Sequence, residues 1–134
     1  MINVHLNYPV FLFKKGNQNL YATNKKLGLF SKGGGKFYKN LDVIDSKGYV
    51  YHLSNSSIKG KASILDSLRH LQPMYEMDLQ FEKIDEIKLK DLKVKAMNQV
   101  KLKPKFWLPV DTIEGIQEMV DNAKTYKELI LIFK

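Results

Sequence analysis

The segment from Tyr75 to Glu82 constrains the fold more than any other part of this 134-residue sequence. Apolar and polar residues alternate along it without exception, with Tyr75, Met77, Leu79 and Phe81 separated by Glu76, Asp78, Gln80 and Glu82. Because successive side chains of a β-strand point to opposite faces of a sheet, this period of two predicts a strand with one buried face and one acidic face. The apolar face of such a sheet needs a second layer to cover it.

The N-terminal third also predicts strands. Residues Ile2 to Tyr8 alternate as a half-buried strand does, and Val10 to Phe13 is apolar on both faces, as in a central strand. After a turn, Leu20-Tyr21-Ala22 is the expected hairpin partner of that central strand.

A second hairpin follows a loop that we expect over residues 24–35. The run from Phe37 to Ile44 is rich in β-forming residues, and the strand resumes from Tyr49 to Leu53. Between them, Asp45-Ser46-Lys47-Gly48 has an aspartate and a glycine at the positions that a β-turn favours.

Helical spacing begins after Gly60. A helix is predicted before Pro73 from the apolar residues Ile64, Leu65, Leu68 and Leu71. Residues 85–103 show two periods. Lys88-Leu89-Lys90 alternates as a strand does, but a step of four relates Leu92, Ala96 and Val100. Since Pro104 suits a helix stop, we expect a helix from about Leu89.

Two capping-box spacings mark the C-terminal part, where Asp111 precedes Glu114 and Thr125 precedes Glu128 by three residues. They predict two short helices joined by a tight turn. The whole order predicts a single α+β domain over residues 1–134. Its mostly antiparallel sheet is built from N-terminal hairpins plus strand 75–82, with the C-terminal helices packed on the sheet.

Positive charge is concentrated in the first sixty residues. They carry nine lysines against Asp42 and Asp45, and so contribute +7 of the formal net charge of +8. This charge indicates an anionic partner, unless it reflects a lysine bias of the sequence as a whole. Arg69 is the only arginine. Because arginine is the side chain that reads guanine with two hydrogen bonds, base-specific recognition is not expected.

The expected location is the cytoplasm. The sequence has no long apolar run of membrane-spanning length, and Asn3, His5 and Asn7 interrupt the apolar residues that a signal peptide would need. It also has no cysteine, which excludes disulfides and thiolate metal sites.

No catalytic, cofactor or metal site is predicted. The histidines His5, His52 and His70 are too far apart in sequence to form a ligand pair, although His52 is expected to face Asp42 across the second hairpin. The segment Ser31 to Lys36 lacks the spacing of a phosphate-binding loop. We therefore expect a non-enzymatic protein without a cofactor. A deep pocket lined by convergent polar groups would indicate an enzyme instead.

Lysines alternate with aromatic residues between Phe11 and Tyr51. Sheets that bind single-stranded nucleic acid use this mixture, because rings stack on bases and lysines contact phosphates. Sequence-nonspecific nucleic-acid binding through lysines and strand aromatics is therefore the alternative function. The sequence contains no RNP-type motif.

Two stretches have a familiar layout. One is Asn40 to Tyr51; the other runs from Lys103-Pro104-Lys105-Phe106-Trp107 through Asp111-Thr112-Ile113-Glu114 to Asn122–Ile130. Over about half of the chain this layout resembles small bacterial immunity proteins of contact-dependent inhibition and related polymorphic toxin systems. The resemblance implies a cytoplasmic protein that neutralises a cognate toxin domain by binding it. Immunity proteins against nucleases are often acidic, whereas this chain is basic.

The charge distribution and the resemblance together give a set of expected partner contacts in the basic half: Lys32, Lys36, Lys39, Lys47 and Tyr51. Their expected partner is a toxin protein with an acidic surface, since complementary charge accelerates encounter and selects the partner. No membrane partner is expected, and the oligomeric state stays open.

Overall fold

A computed structural model describes residues 3–14, 20–25, 27–30, 41–61, 75–107 and 111–134. The strands in these ranges are β1 (Val10–Lys14), β2 (Leu20–Thr23), β3 (Leu29–Phe30), β4 (Leu41–Ile44), β5 (Tyr49–Lys61) and β6 (Tyr75–Glu86). The helices are α1 (Leu89–Leu102), α2 (Pro104–Trp107), α3 (Ile113–Asn122) and α4 (Tyr126–Ile132).

The six strands form one sheet in the order β2-β1-β4-β5-β6-β3, and every pairing between them is antiparallel. The helices of the described part follow the strands in sequence. The predicted α+β class is therefore confirmed, with β1 in the interior of the sheet and β2 as its hairpin partner. The longest contact in the sheet is the ribbon of β5 and β6, which carries three register shifts.

Buried side chains form one cluster on each face of the sheet. On the first face, Phe11, Leu20 and Ile44 pack with the buried sides of α1, α3 and α4. On the second face, a cluster of strand residues includes Val43, Leu53, Met77, Leu79 and Phe81. The alternation predicted for residues 75–82 is thus confirmed: Met77, Leu79 and Phe81 are buried, whereas Gln80 and Glu82 are exposed.

The C-terminal helices begin close to the predicted residues. Helix α1 starts at Leu89 and buries Leu92, Ala96, Met97 and Val100, which confirms the helical interpretation of that stretch. At α4 the Oγ1 atom of Thr125 accepts a hydrogen bond from the Glu128 amide at 3.1 Å, as predicted. The cap of α3 lies one residue later than predicted. Thr112 Oγ1 accepts from the Gly115 amide at 3.0 Å, and Asp111 accepts from the Thr112 amide.

The predicted strand at residues 2–8 is wrong, since residues 3–9 belong to no strand. The alternation still matches burial: Leu6 is buried, and Val4 and Tyr8 pack against the second-face cluster. Instead of a strand ladder, Asn3 bonds to β6 through its backbone N–H, which donates to the Leu79 carbonyl at 3.3 Å, and through its side chain. The Asn3 amide group accepts from the Phe81 N–H at 2.7 Å and donates to the Phe81 carbonyl at 3.1 Å. Asn3 thereby covers part of the open edge of β6.

Other boundaries also differ from the predictions. Strand β5 continues past Leu53 to Lys61, and it stays paired with β6 on both sides of three register shifts. Within the expected loop 24–35, Leu29–Phe30 pairs with the start of β6. The predicted helix at residues 64–71 and the start of the strand at residues 37–40 lie outside the described residues.

The turn between β4 and β5 is organised by the buried carboxylate of Asp45. One carboxylate oxygen accepts hydrogen bonds from the amides of Lys47 and Tyr49, at 3.0 and 3.1 Å. The other accepts from the backbone and the side-chain amide of Asn7, at 3.3 and 2.7 Å. Asp45 is fully buried, so these four donors replace the hydration that the carboxylate loses. The same turn therefore fixes the hairpin and the N-terminal segment.

A second set of contacts joins this turn to the helices. Gly48 has φ +81, and its carbonyl accepts from the Ile87 amide at 2.8 Å. The hydroxyl of Tyr126 donates to the Ile87 carbonyl at 2.6 Å. A Cβ atom on Gly48 would lie 2.7 Å from Cζ of Tyr126, which leaves room only for glycine. The β4–β5 turn, the junction of β6 with α1, and α4 consequently contact one another at Gly48.

We expect Asp45→Ala to lower the free energy of unfolding by about 2–4 kcal/mol, because it leaves several buried donors without an acceptor. The change is measured by urea denaturation. Asp85→Ala is the matched control, since that exposed aspartate accepts a hydrogen bond from the neighbouring Glu86 amide and, among the described residues, from no other donor. Equal unfolding midpoints for the two variants would contradict the assigned role of Asp45.

Candidate partner-binding surface

The structure describes two of the five predicted contact residues. Lys47 is exposed at the tip of the β4–β5 turn, where its backbone amide is held by Asp45. Its position is therefore fixed while its side chain extends into solvent. The other lysines of the set, Lys32, Lys36 and Lys39, lie outside the described residues.

Tyr51 occupies a different environment from the one expected of a contact residue. Its side chain is only 7% exposed and belongs to the second-face cluster, opposite Val43 in the sheet register. Burial raises the pKa of Tyr51, and the nearby negative charge of Asp45 acts in the same direction. Little of this side chain is available to a partner, so we do not retain Tyr51 among the proposed contacts.

A row of polar side chains crosses the first face of the sheet beside the helices. In register, Asp42 of β4 lies opposite His52 of β5, and His52 lies opposite Glu82 of β6. The Nδ1 atom of His52 is 2.6 Å from Oδ1 of Asp42, which confirms the predicted cross-strand pair. The side chains of the pair are 45% and 43% exposed, so water competes with their interaction.

The row places one histidine between two carboxylates, Asp42 and Glu82, on neighbouring strands. No group of three or more His, Cys, Asp or Glu side chains in those ranges could hold a metal ion. The hydroxyl of Ser54, on the same strand as His52, donates to the Gln80 carbonyl at 2.9 Å. The geometry is that of a hydrogen-bonded pair on a sheet surface.

Helices α1 and α2 carry a concentration of positive charge in the described part of the chain. Between residues 88 and 107 the only acid is Asp91, whereas seven lysines are present: Lys88, Lys90, Lys93, Lys95, Lys101, Lys103 and Lys105. Two of them have defined partners. Lys93 donates to the Asp121 carbonyl at 3.1 Å, and Nζ of Lys95 lies 4.7 Å from the centre of the Phe13 ring.

Exposed apolar side chains lie among these lysines. Val94, Leu102 and Phe106 are 60%, 54% and 51% exposed. Val94, Asn98 and Leu102 are each four residues apart, so they form a line along one side of α1, roughly opposite the line of buried residues that starts at Leu92. We refer to these three residues, together with the exposed Phe106 on the following helix α2, as the outer stripe. The helix prediction rested on the buried line alone, although the same spacing of four in the sequence also relates Val94, Asn98 and Leu102.

A groove separates α1 from α3. One part has a volume of about 300 Å³ and is lined on the α1 side by Lys90, Lys93 and Val94. The adjoining part, of about 540 Å³, is lined on the α3 side by Glu114, Glu118 and Asp121. These three carboxylates are exposed to solvent. The groove is consequently a boundary between a basic and an acidic surface rather than an enclosed pocket.

The strand aromatics do not present a stacking surface in the described ranges. Phe11 and Tyr51 are buried, and Tyr21 and Tyr49 are half-buried against the second-face cluster. The ring of Tyr49 is covered by Lys83, whose Nζ lies 4.2 Å from the ring centre. Phe37 and Tyr38, which also entered the nucleic-acid alternative, lie outside the described residues.

Comparisons with models of protein families, with curated proteins and with solved structures give no match. Among the described residues, no helix is long and apolar enough to cross a membrane. Any functional conclusion must therefore rest on the chemistry of the surfaces described above.

The burial of Tyr51 makes a prediction about alkaline pH. Because its pKa is raised in the folded protein, the unfolded chain loses this proton first, at a pH near 10. The free energy of unfolding should then fall as pH rises from about 10 towards the folded-state pKa. We expect a shallower fall in Tyr51→Phe, measured by urea denaturation at a series of alkaline pH values. Identical pH dependence in variant and wild type would contradict this environment for Tyr51.

Proposed function

We propose that this protein is a non-enzymatic binding module that neutralises a cognate toxin domain by direct contact, as immunity proteins of contact-dependent inhibition and related polymorphic toxin systems do. Its partner presents an acidic surface, and binding takes place in the cytoplasm. Neutralisation results from occlusion or clamping of the toxin domain, and no chemical step is required of this chain.

The observation that supports this proposal most strongly is the combination of charge and apolar area on α1 and α2. The same two helices carry seven lysines and the exposed apolar side chains of the outer stripe, with Asp91 as the only acid between residues 88 and 107. Complementary charge steers the encounter of two proteins, and burial of apolar surface is the main favourable term in most protein association. A protein surface can satisfy both groups at once.

Nucleic acid would use only part of this surface. Phosphates would pair with the lysines and one base could stack on Phe106, but the side chains of Val94 and Leu102 offer no further ring on which a neighbouring base could stack. The described aromatics of β1, β2 and β5 are buried or half-buried. The chemistry of these residues therefore favours a protein partner over a single-stranded nucleic acid.

Co-expression with a toxin domain tests the proposed function. We expect the cognate toxin to be the C-terminal domain of a large secreted protein encoded directly upstream, and that domain is expressed together with this chain in a bacterial host. We expect the chain to restore growth and to co-elute with the toxin domain at moderate salt. Failure to restore growth, together with recovery of RNA or DNA in place of a protein, would contradict the proposal. Binding that weakens steeply with the logarithm of salt concentration would identify the nucleic-acid alternative.

Charge reversal at the β4–β5 turn tests whether the positive charge of the first sixty residues accelerates the encounter with the partner. Lys47 is exposed and its backbone is fixed, so Lys47→Glu changes charge without disturbing the fold. We expect the association rate constant for the toxin domain to fall about threefold to tenfold, with a smaller change in dissociation, because exposed charges act mainly on encounter. The measurement is surface plasmon resonance at low and moderate salt.

Lys134→Glu is the matched control for this variant, since it makes the same change of charge at an exposed residue after α4. The control should retain the association rate of the wild type. Equal slowing in both variants would show that only the net charge matters and would contradict a contact at Lys47.

A further inference from the structure

The outer stripe is held rigidly although its side chains are exposed. Helix α1 is anchored through Leu92, Ala96, Met97 and Val100, all of which are buried. The stripe therefore needs no folding step before it can bind.

At its C-terminal end the stripe is positioned by Trp107. This side chain is 5% exposed and lies in the first-face cluster, edge-on to Phe133 at 5.4 Å between ring centres. The Phe106 ring packs edge-on against Trp107 at 5.0 Å. Because this contact restricts Phe106, an exposed aromatic ring is presented in a defined orientation.

The charge around the stripe is mostly positive, and its one acid within residues 88–107 is Asp91, in the first turn of α1 before Val94. Within the described ranges no carboxylate forms an ion pair with the lysines that flank it or follow it, namely Lys90, Lys101, Lys103 and Lys105. On the opposite side of the groove, however, α3 carries Glu114, Glu118 and Asp121. An acidic molecule bound at the stripe is therefore attracted by the lysines along α1 and repelled by the carboxylates of α3.

A narrow occupant fits this arrangement better than an extended one. From Val94 to Leu102 the stripe is about 12 Å long, or just over two helical turns. An anionic bilayer would also attract lysines and apolar side chains, but it would place its charge against the carboxylates of α3. A single segment that lies along α1 contacts the lysines and avoids those carboxylates.

We propose that the outer stripe binds an acidic amphipathic segment of the protein partner. Apolar side chains of that segment contact Val94, Leu102 and Phe106, and its carboxylates pair with Lys90, Lys101 and Lys105. This inference rests on the proposed protein-binding function and assigns the contact to α1 and α2, a surface that does not include the predicted contacts in the first sixty residues.

The probe for this proposal is a stapled helical peptide with leucines on one face and glutamates on the other. Binding is followed by chemical-shift changes in two-dimensional NMR spectra of the isotopically labelled full chain. We expect the changes to centre on residues 94–106, and a peptide with lysines in place of the glutamates to cause none. No binding of the acidic peptide, or shifts centred elsewhere, would overturn the proposal.

Leu102→Ser removes one exposed side chain of the stripe, and Leu131→Ser is its matched control, since Leu131 is 42% exposed on α4. We expect about tenfold weaker peptide binding for Leu102→Ser and none of this loss for Leu131→Ser. Circular dichroism checks that both variants remain folded. Equal affinities for the two variants would overturn the assignment of the stripe.

Two further measurements identify other occupants. Binding to phosphatidylglycerol vesicles without binding of the acidic peptide would overturn the proposal in favour of a membrane surface. Sedimentation experiments could instead show that the wild type self-associates and that Leu102→Ser does not. That result would overturn the proposal and identify a second copy of this chain as the occupant. We expect the protein to be monomeric, to bind the acidic peptide and not to bind the vesicles.

The growth assay separates this inference from the proposed function. Suppose that the wild type and Leu102→Ser restore growth equally well and bind the toxin domain with equal affinity. The proposed function is then supported, and the assignment of the outer stripe as the contact surface is wrong. If the wild type does not restore growth, the function fails, and the peptide titration still decides whether the stripe binds an acidic segment.

Discussion

The buried carboxylate of Asp45 is the interaction on which the rest of this structure depends. A carboxylate in a protein interior is costly unless donors replace its hydration, and Asp45 obtains four hydrogen bonds from the turn and from Asn7. Those donors belong to the N-terminal segment and to the β4–β5 hairpin. Through Gly48 and Ile87 the same turn reaches the junction of β6 with α1. One polar group thereby fixes the positions of the elements that carry both the sheet and the basic helix.

The two faces of the sheet give the molecule its uneven surface. The helices cover the first face over β1 and β2, where Phe11 and Leu20 are buried, and leave the polar row at His52 exposed. Because α1 uses one side for the core, the opposite side displays both its lysines and its apolar stripe. The surface that we propose for binding is therefore a consequence of how the core is packed.

The sequence predicted most of the fold because burial follows the period of a strand or a helix. The alternation at residues 75–82 placed Met77 and Leu79 in the core correctly. The prediction of a strand from alternation failed at residues 2–8, because an extended segment can bury alternate side chains without belonging to a strand. Hydrogen bonds of the side-chain amide of Asn3 hold this segment to β6. The predicted N-cap of α3 was wrong by one residue, because Asp111 and Thr112 are both residue types that favour the N-cap position.

The candidate site was harder to predict than the fold. Composition locates charge but does not show which lysines share a surface, and Tyr51 was selected as a contact although it is buried. Our central claim is that α1 and α2 form the binding surface, and hydrogen–deuterium exchange of the complex with the toxin domain tests it most directly. We predict slower exchange at residues 88–107 in the complex than in the free chain. Unchanged exchange over those residues, with protection elsewhere, would contradict the claim.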